Sequence, residues 1–365
     1  MKLTIIILSF LGLGTIMVGC SALGTSPSKE RIDKYKSSKN YNLKEEKFEN
    51  RLPNIVDEMM DRNFTFGSIF NFFKSHPNRK PEKLLPEIKP DLASFLEPSK
   101  ELKSIWFGHS TILLNMDSKI ILVDPVFSKA ASPVSFAVQR FQPPVLKLEE
   151  LPKVDYILIS HDHYDHLDME SIKFFKEKDI KFITPLGVGA HLEGWGISKE
   201  KIIERDWWQG AEFEGIKFIA TPSQHFSGRG LMDRCKTLWA SWVLQSENHN
   251  IYFSGDSGYD THFKDIGDKY GPFDVAFIEN GQYNEKWEEV HLLPKQSIQA
   301  YKDLRAKKYF PIHWGMFVLS MHTWNEPMQE IFKLSENNEV NLVVPKIGQI
   351  VNLSNDFTNE FWWRD

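Results

Sequence analysis

Nine consecutive residues, Ser160-His161-Asp162-His163-Tyr164-Asp165-His166-Leu167-Asp168, hold three imidazoles and three carboxylates. They follow the apolar segment Val154-Asp155-Tyr156-Ile157-Leu158-Ile159 directly, so the cluster begins where a strand is expected to end. Packing so many ionisable groups together costs desolvation energy unless a cation neutralises them. Imidazole with carboxylate is the donor set of zinc and its first-row neighbours. The run is therefore read as a metal-binding loop, in preference to a solvated loop that happens to be rich in histidine.

Around this loop, short β-type runs recur at 105–107, 111–115, 119–123, 155–159, 181–184, 216–221, 238–244, 250–253, 274–278 and 308–311. Helical segments are expected at 169–178, with Asp168 as N-cap, and at 295–304, after Pro294. The mixture predicts a layered α/β fold with one catalytic domain over 103–353. The other ligand candidates also stand just past apolar runs. His225 follows 218–224, Asp256 follows 251–255 and His313 follows 310–312, so separate strands are expected to converge on one edge.

The amino terminus has the pattern of an export signal: Lys2, an apolar run over 3–18, then Gly19-Cys20. Met17-Val18-Gly19-Cys20-Ser21 resembles a bacterial lipobox, which implies a signal peptide over 1–19, lipidation of Cys20, and an exported lipoprotein held to a membrane outside the cytoplasm. Ser, Lys, Glu and Asn dominate the next stretch, so 20–50 is expected to be a flexible tether. A leader over 51–102, with five phenylalanines between 64 and 73, is expected to pack on the catalytic domain, and 354–365 forms a C-terminal tail. Only two cysteines occur, and lipidation of Cys20 leaves Cys235 unpaired, a packed thiol without an adjacent imidazole. The net charge of −5 leaves no basic excess for a phosphate backbone, so no nucleic-acid partner is expected.

His161, His163, Asp165 and His166 match the H-x-H-x-D-H motif, and in this the chain resembles the metallo-β-lactamase-fold hydrolases. Further blocks, Trp106-Phe107-Gly108-His109-Ser110-Thr111, Asp124-Pro125-Val126-Phe127-Ser128, Thr221-Pro222-Ser223-Gln224-His225, Gly255-Asp256-Ser257-Gly258-Tyr259, Gly271-Pro272-Phe273-Asp274 and Ile312-His313-Trp314-Gly315, are similar to the branch containing N-acylphosphatidylethanolamine-hydrolysing phospholipase D. The resemblance implies a four-layer αββα sandwich with two Zn2+ at the strand ends. One zinc would take His161, His163 and His225, the second Asp165, His166 and His313, with Asp256 and a hydroxide between them. Asp124 would support the metal loop, and His291 would be a further histidine near the site; with Asp256 they are the catalytic candidates. Asp162, Asp168 and His109 are expected to orient neighbours. Arg229 is expected to meet a substrate phosphate or to form a local salt bridge.

The implied substrate is N-acylphosphatidylethanolamine or a related phospholipid. A lactone or a small phosphodiester is the alternative, because the same centre attacks carbonyl carbon and phosphorus alike. A metal-binding lipoprotein without activity is the non-enzymatic alternative. Redox chemistry at a di-iron centre is disfavoured, since a carboxylate would be expected where His163 stands.

Overall fold

The computed structural model describes residues 21–63, 78–230 and 232–364. Cys20, the signal segment and the 64–73 phenylalanines lie outside them. Residues 21–50 depart from the expected tether. They carry helix α1 (Lys29–Tyr35), capped by the Ser28 side chain, and a small hairpin of β1 (Tyr41–Asn42) and β2 (Lys47–Phe48). Tyr35 and Phe48 are buried, and the buried Arg31 pairs with Glu193 at 2.9 Å and with Glu204. The polar composition misled because only a few anchors, one of them an arginine, hold the segment down.

After α2 (Ile55–Asn63) and α3 (Leu92–Leu96) come β3 (Lys103–Trp106), β4 (Ile112–Met116), β5 (Lys119–Val123), β6 (Tyr156–Leu158), β7 (Lys181–Pro185) and β8 (Ile202–Arg205). Then follow β9 (Gly210–Phe213), β10 (Ile216–Thr221), β11 (Ser241–Gln245), β12 (Asn250–Phe253), β13 (Val275–Glu279), β14 (Tyr309–Ile312) and β15 (Ile350–Asn352). One sheet runs β15-β3-β4-β5-β6-β7-β8 and the other β14-β13-β12-β11-β10-β9. Strands β5 to β8 are mutually parallel, as are β12 to β14.

The strand sequences explain the layering. In β5, Ile121 and Val123 join the core between the sheets, while Leu122 packs with the cluster of the outer helices; Tyr156 and Leu158 divide from Ile157 in the same way. With a period of two and both faces covered, these strands read as unbroken apolar runs. Helices α4 (Met169–Phe174) and α5 (Val188–Gly194) supply Ile172, Val188 and Leu192 to the outer layer of the first sheet. Helices α6 (His262–Tyr270), α7 (Pro294–Asp303) and α8 (Glu326–Asn338) supply Ile266, Ile298 and Ile331 to the large core of the second. The result is the expected helix–sheet–sheet–helix stack.

Local differences have local causes. Helix α4 starts at the Asp168 cap, which accepts from Glu170 N, but stops at Phe174, because Lys176-Glu177-Lys178 has no apolar face to bury. The strand expected over 238–244 begins only at Ser241, because Leu238 N and Ala240 N bond to Leu186 O and Ser160 O of the other sheet layer. The C-terminal tail folds back. Trp362 stacks on Trp314 at 5.2 Å, which stacks on Trp106 at 5.2 Å, and Trp363 is fully buried.

Candidate metal centre

All seven expected ligands meet at one edge of the sandwich, in the segments that follow β6, β10, β12 and β14. His161 Nε2 and His225 Nε2 approach His163 Nδ1 at 2.9 and 3.1 Å. Asp256 Oδ2 lies 3.8 and 3.7 Å from those two Nε2 atoms. On its other side Asp256 reaches His166 Nε2 and His313 Nε2, both at 3.1 Å. Asp165 Oδ2 lies 3.5 and 3.3 Å from the same pair of imidazole nitrogens. Tetrahedral ligands on zinc bonds of about 2.1 Å stand roughly 3.4 Å apart, so both donor sets have the spacing of a first coordination shell. His166 Nε2 and Asp256 Oδ1 are buried and form no hydrogen bond among the described residues, as expected of atoms whose lone pairs serve a cation. The donor set therefore fits two metal ions bridged by Asp256.

The rings are held by their other nitrogens. Asp124, fully buried, accepts from Ser160 N at 2.7 Å and from Ser160 Oγ at 2.6 Å, and its Oδ2 binds His166 Nδ1 at 2.7 Å. His225 Nδ1 donates to Val290 O at 3.0 Å, and the Asn50 side chain pairs with the backbone N and O of His225. His166 and His225 thus keep a fixed tautomer with the opposite nitrogen free for metal. Gly255, at φ +56, makes the turn into Asp256 where a Cβ would fall 2.7 Å from Ser160 Cβ.

Electrostatics favour a cation here. Burial, reinforced by neighbouring imidazoles, holds His161 and His225 well below the usual histidine range, so both rings are neutral ligands at pH 7. Against burial, Asp256 and Asp165 push His166 up to about 10, and Asp256 also raises His313. The field that would protonate these imidazoles is the field a divalent ion would feel.

Further residues complete the site. His109, at φ +54, places Nε2 2.9 Å from Asp165 Oδ2; burial, with His313 beside it, lowers it to about 3, so it is a neutral partner of that carboxylate. Asp162 does not face the metals. It accepts from Gly228 N and Thr237 Oγ1, and its Oδ2 lies 3.2 Å from His191 Nε2. Asp168 caps α4 and binds Ser128. His291 joins the site through Glu279.

One assignment needs correcting. Arg229 forms no salt bridge among the described residues: it is buried, donates to Asp162 O at 2.6 Å, Leu167 O at 2.8 Å and Ala22 O at 2.9 Å, and stacks on Tyr164. It staples the metal loop from behind. His191 orients Asp162 between two ligands. Glu279 was missed. Fully buried at the end of β13, it places Oε2 2.8 Å from His291 Nδ1 and 3.3 Å from His313 Nδ1. Its signal was the one used for the others, an acidic residue directly after an apolar run.

A family model described as beta-lactamase superfamily domain matches residues 119–314. N-acyl-phosphatidylethanolamine-hydrolyzing phospholipase D 1 of Caenorhabditis elegans is 36% identical over 252 residues, 65% of this chain and 71% of that protein. The mitochondrial N-acyl-phosphatidylethanolamine-hydrolyzing phospholipase D of Saccharomyces cerevisiae is 33% identical over 241 residues, 63% of this chain and 51% of that protein. Among solved structures, Igni18, a metallo hydrolase of Ignicoccus hospitalis, superposes with a TM-score of 0.54 at 21% identity, over 68% of this chain and 97% of its own.

Proposed function

Because this chain belongs to the metallo-β-lactamase superfamily, as a metal-dependent hydrolase, we propose that it is a dizinc phosphodiesterase of phospholipase D type. Its substrate is N-acylphosphatidylethanolamine or a related phospholipid, reached from a lipid anchor at Cys20 outside the cytoplasm. The observation that carries this reading is the Asp256 carboxylate set between two imidazole-rich donor sets. The two relatives named for that activity support the substrate class.

His161, His163 and His225 would hold one ion, Asp165, His166 and His313 the other, with Asp256 shared. Two such ions lower the pKa of bound water towards about 7 and draw charge from a phosphoryl oxygen. The protein residues do the rest. Asp124 and Glu279 keep His166 and His313 in the metal-binding tautomer. Water attacks phosphorus, the bond from phosphorus to the ethanolamine oxygen breaks, and phosphatidic acid and an N-acylethanolamine result. Glu279 occupies the Nδ1 of the half-buried His291, so its Nε2 would take up the proton that the attacking water loses and pass it to the leaving alkoxide.

The test is a hydrolysis panel on anchor-free protein: N-acylphosphatidylethanolamine, unmodified phospholipids, small phosphodiesters and lactones, each with and without chelator. Chelator-sensitive release of phosphatidic acid is the expected result. Lactone opening without phosphodiester cleavage would overturn the reading, as would metal-loaded protein inert on every ester.

A further inference from the structure

We infer that the protein meets a lipid surface with the face where residues 21–24 lie near Gly230 and Met232, and that it is fastened there without slack at the back of its metal loop. The inference rests on the anchor proposed at Cys20 and adds where and how the body sits.

Ser21, the residue after Cys20, already belongs to the folded body: its carbonyl accepts from Trp195 Nε1 at 2.9 Å. Ala22 O accepts from Arg229 Nε at 2.9 Å, and Thr25 N donates to His191 Nδ1 at 2.9 Å. Gly24, at φ +87, lies so close that a Cβ would fall 2.2 Å from His191 Nδ1. The chain is thus pinned at Ser21, Ala22, Gly24 and Thr25, where a lipoprotein stalk would be expected to swing free.

Both pins lead to the metal loop. The guanidinium that holds Ala22 also holds Asp162 O and Leu167 O, which bracket the ligands His163, Asp165 and His166. The imidazole that receives Thr25 N also contacts Asp162 Oδ2. A single side chain therefore separates the anchored strand from the catalytic loop. The loop on the other side runs from the ligand His225 to Gly230, and Phe226 packs on His163 at 4.7 Å.

The surface chemistry fits lipid. Met232 is 90% exposed and Leu23 41%, two apolar side chains beside the point where the lipidated residue enters. Between the strap and this loop a cavity of about 520 Å³ has Leu23, Ile32, Tyr41 and Met232 among its walls. Glu46, Asp233 and Lys236 also line it, and such a mixture of apolar and charged groups suits the headgroup region of a bilayer. The occupant is the bilayer, because acyl chains on Cys20 cannot stand further from Ser21 than one residue permits.

The experiment uses full-length lipidated protein in vesicles of phosphatidylethanolamine and phosphatidylglycerol doped with nitroxide-labelled lipid. In a Cys235→Ala background, a fluorophore is placed at Met232→Cys or, on α8 at the β14 edge, at Lys333→Cys. The expected result is at least twofold quenching at 232 and none at 333. A ten-residue Gly-Ser insertion between Cys20 and Ser21 should abolish the quenching at 232 and leave turnover of a soluble phosphodiester unchanged. Equal quenching at both positions, quenching that survives the insertion, or a Cys20 found without lipid by mass spectrometry would overturn the inference. Quenching at 232 in a protein inert on every ester would instead refute the proposed activity and keep the surface.

Discussion

Replacing Asp124 by asparagine isolates what one buried charge does for the metal centre. The carboxylate accepts two short bonds from Ser160, at 2.7 and 2.6 Å, and fixes His166 Nδ1 at 2.7 Å. An amide has the same shape but only one oxygen. If its NH2 faces Ser160 N, two donors oppose each other; if it faces His166 Nδ1, the ring must shift its proton to Nε2, the atom the metal requires. The first arrangement leaves a buried donor unsatisfied, at about 1–3 kcal/mol, and the second takes the ring nitrogen away from the metal. Losing a carboxylate behind a metal-bound imidazole costs typically 10–100-fold in affinity, or about 1.4–2.7 kcal/mol. The three-histidine set does not bond to Asp124 directly, so only one of two metal equivalents should weaken. Chelator competition with metal counted by mass spectrometry gives a two-step isotherm in Asp124→Asn. Two equivalents held at wild-type affinity would refute the tautomer argument.

Asp256→Ala removes the shared ligand, so metal binding should weaken and hydrolysis be lost while the circular dichroism spectrum persists; unchanged turnover in a metal-quantified sample would remove Asp256 from the mechanism. Glu279→Gln cannot serve both the Ser257 and Leu292 amides and the two imidazoles, so kcat should fall by 10-fold or more with KM little changed, as judged by steady-state kinetics. Removing residues 362–365 strips the stack from Trp314 and should cost about 3–5 kcal/mol in denaturant unfolding. Cys235 is buried and its thiol is pushed up to about 11, so at pH 8 about one molecule in a thousand carries thiolate. Alkylation should therefore be slow in the native protein and fast once it is unfolded.

The seven ligands were legible because they follow four apolar strands, His161, His163, Asp165 and His166 in one loop after β6 and His225, Asp256 and His313 after β10, β12 and β14, and strand ends on one edge of a layered fold converge. Glu279 obeys the same rule and was passed over because the run was read as ending at 278. Arg229 and His191 were not legible in principle: their partners Ala22, Thr25 and Asp162 lie far away in sequence, and nothing local records the contact. The tether failed for a related reason, since Arg31, Tyr35 and Phe48 are sparse anchors in a polar background. Strands β8 and β9 are only partly buried edge segments, so their apolar signal is weak.

The row of indoles from Trp106 through Trp314 to Trp362 joins the first long strand of the catalytic domain to the segment beyond its last. His313 sits beside the middle ring, so its strand gains its full backing only after the final residues have arrived. A ribosome or export channel that releases the chain amino end first would deliver a centre still lacking this support. Metal capture would then belong to the released molecule, and loss of Trp362 would damage the site from a distant part of the sequence.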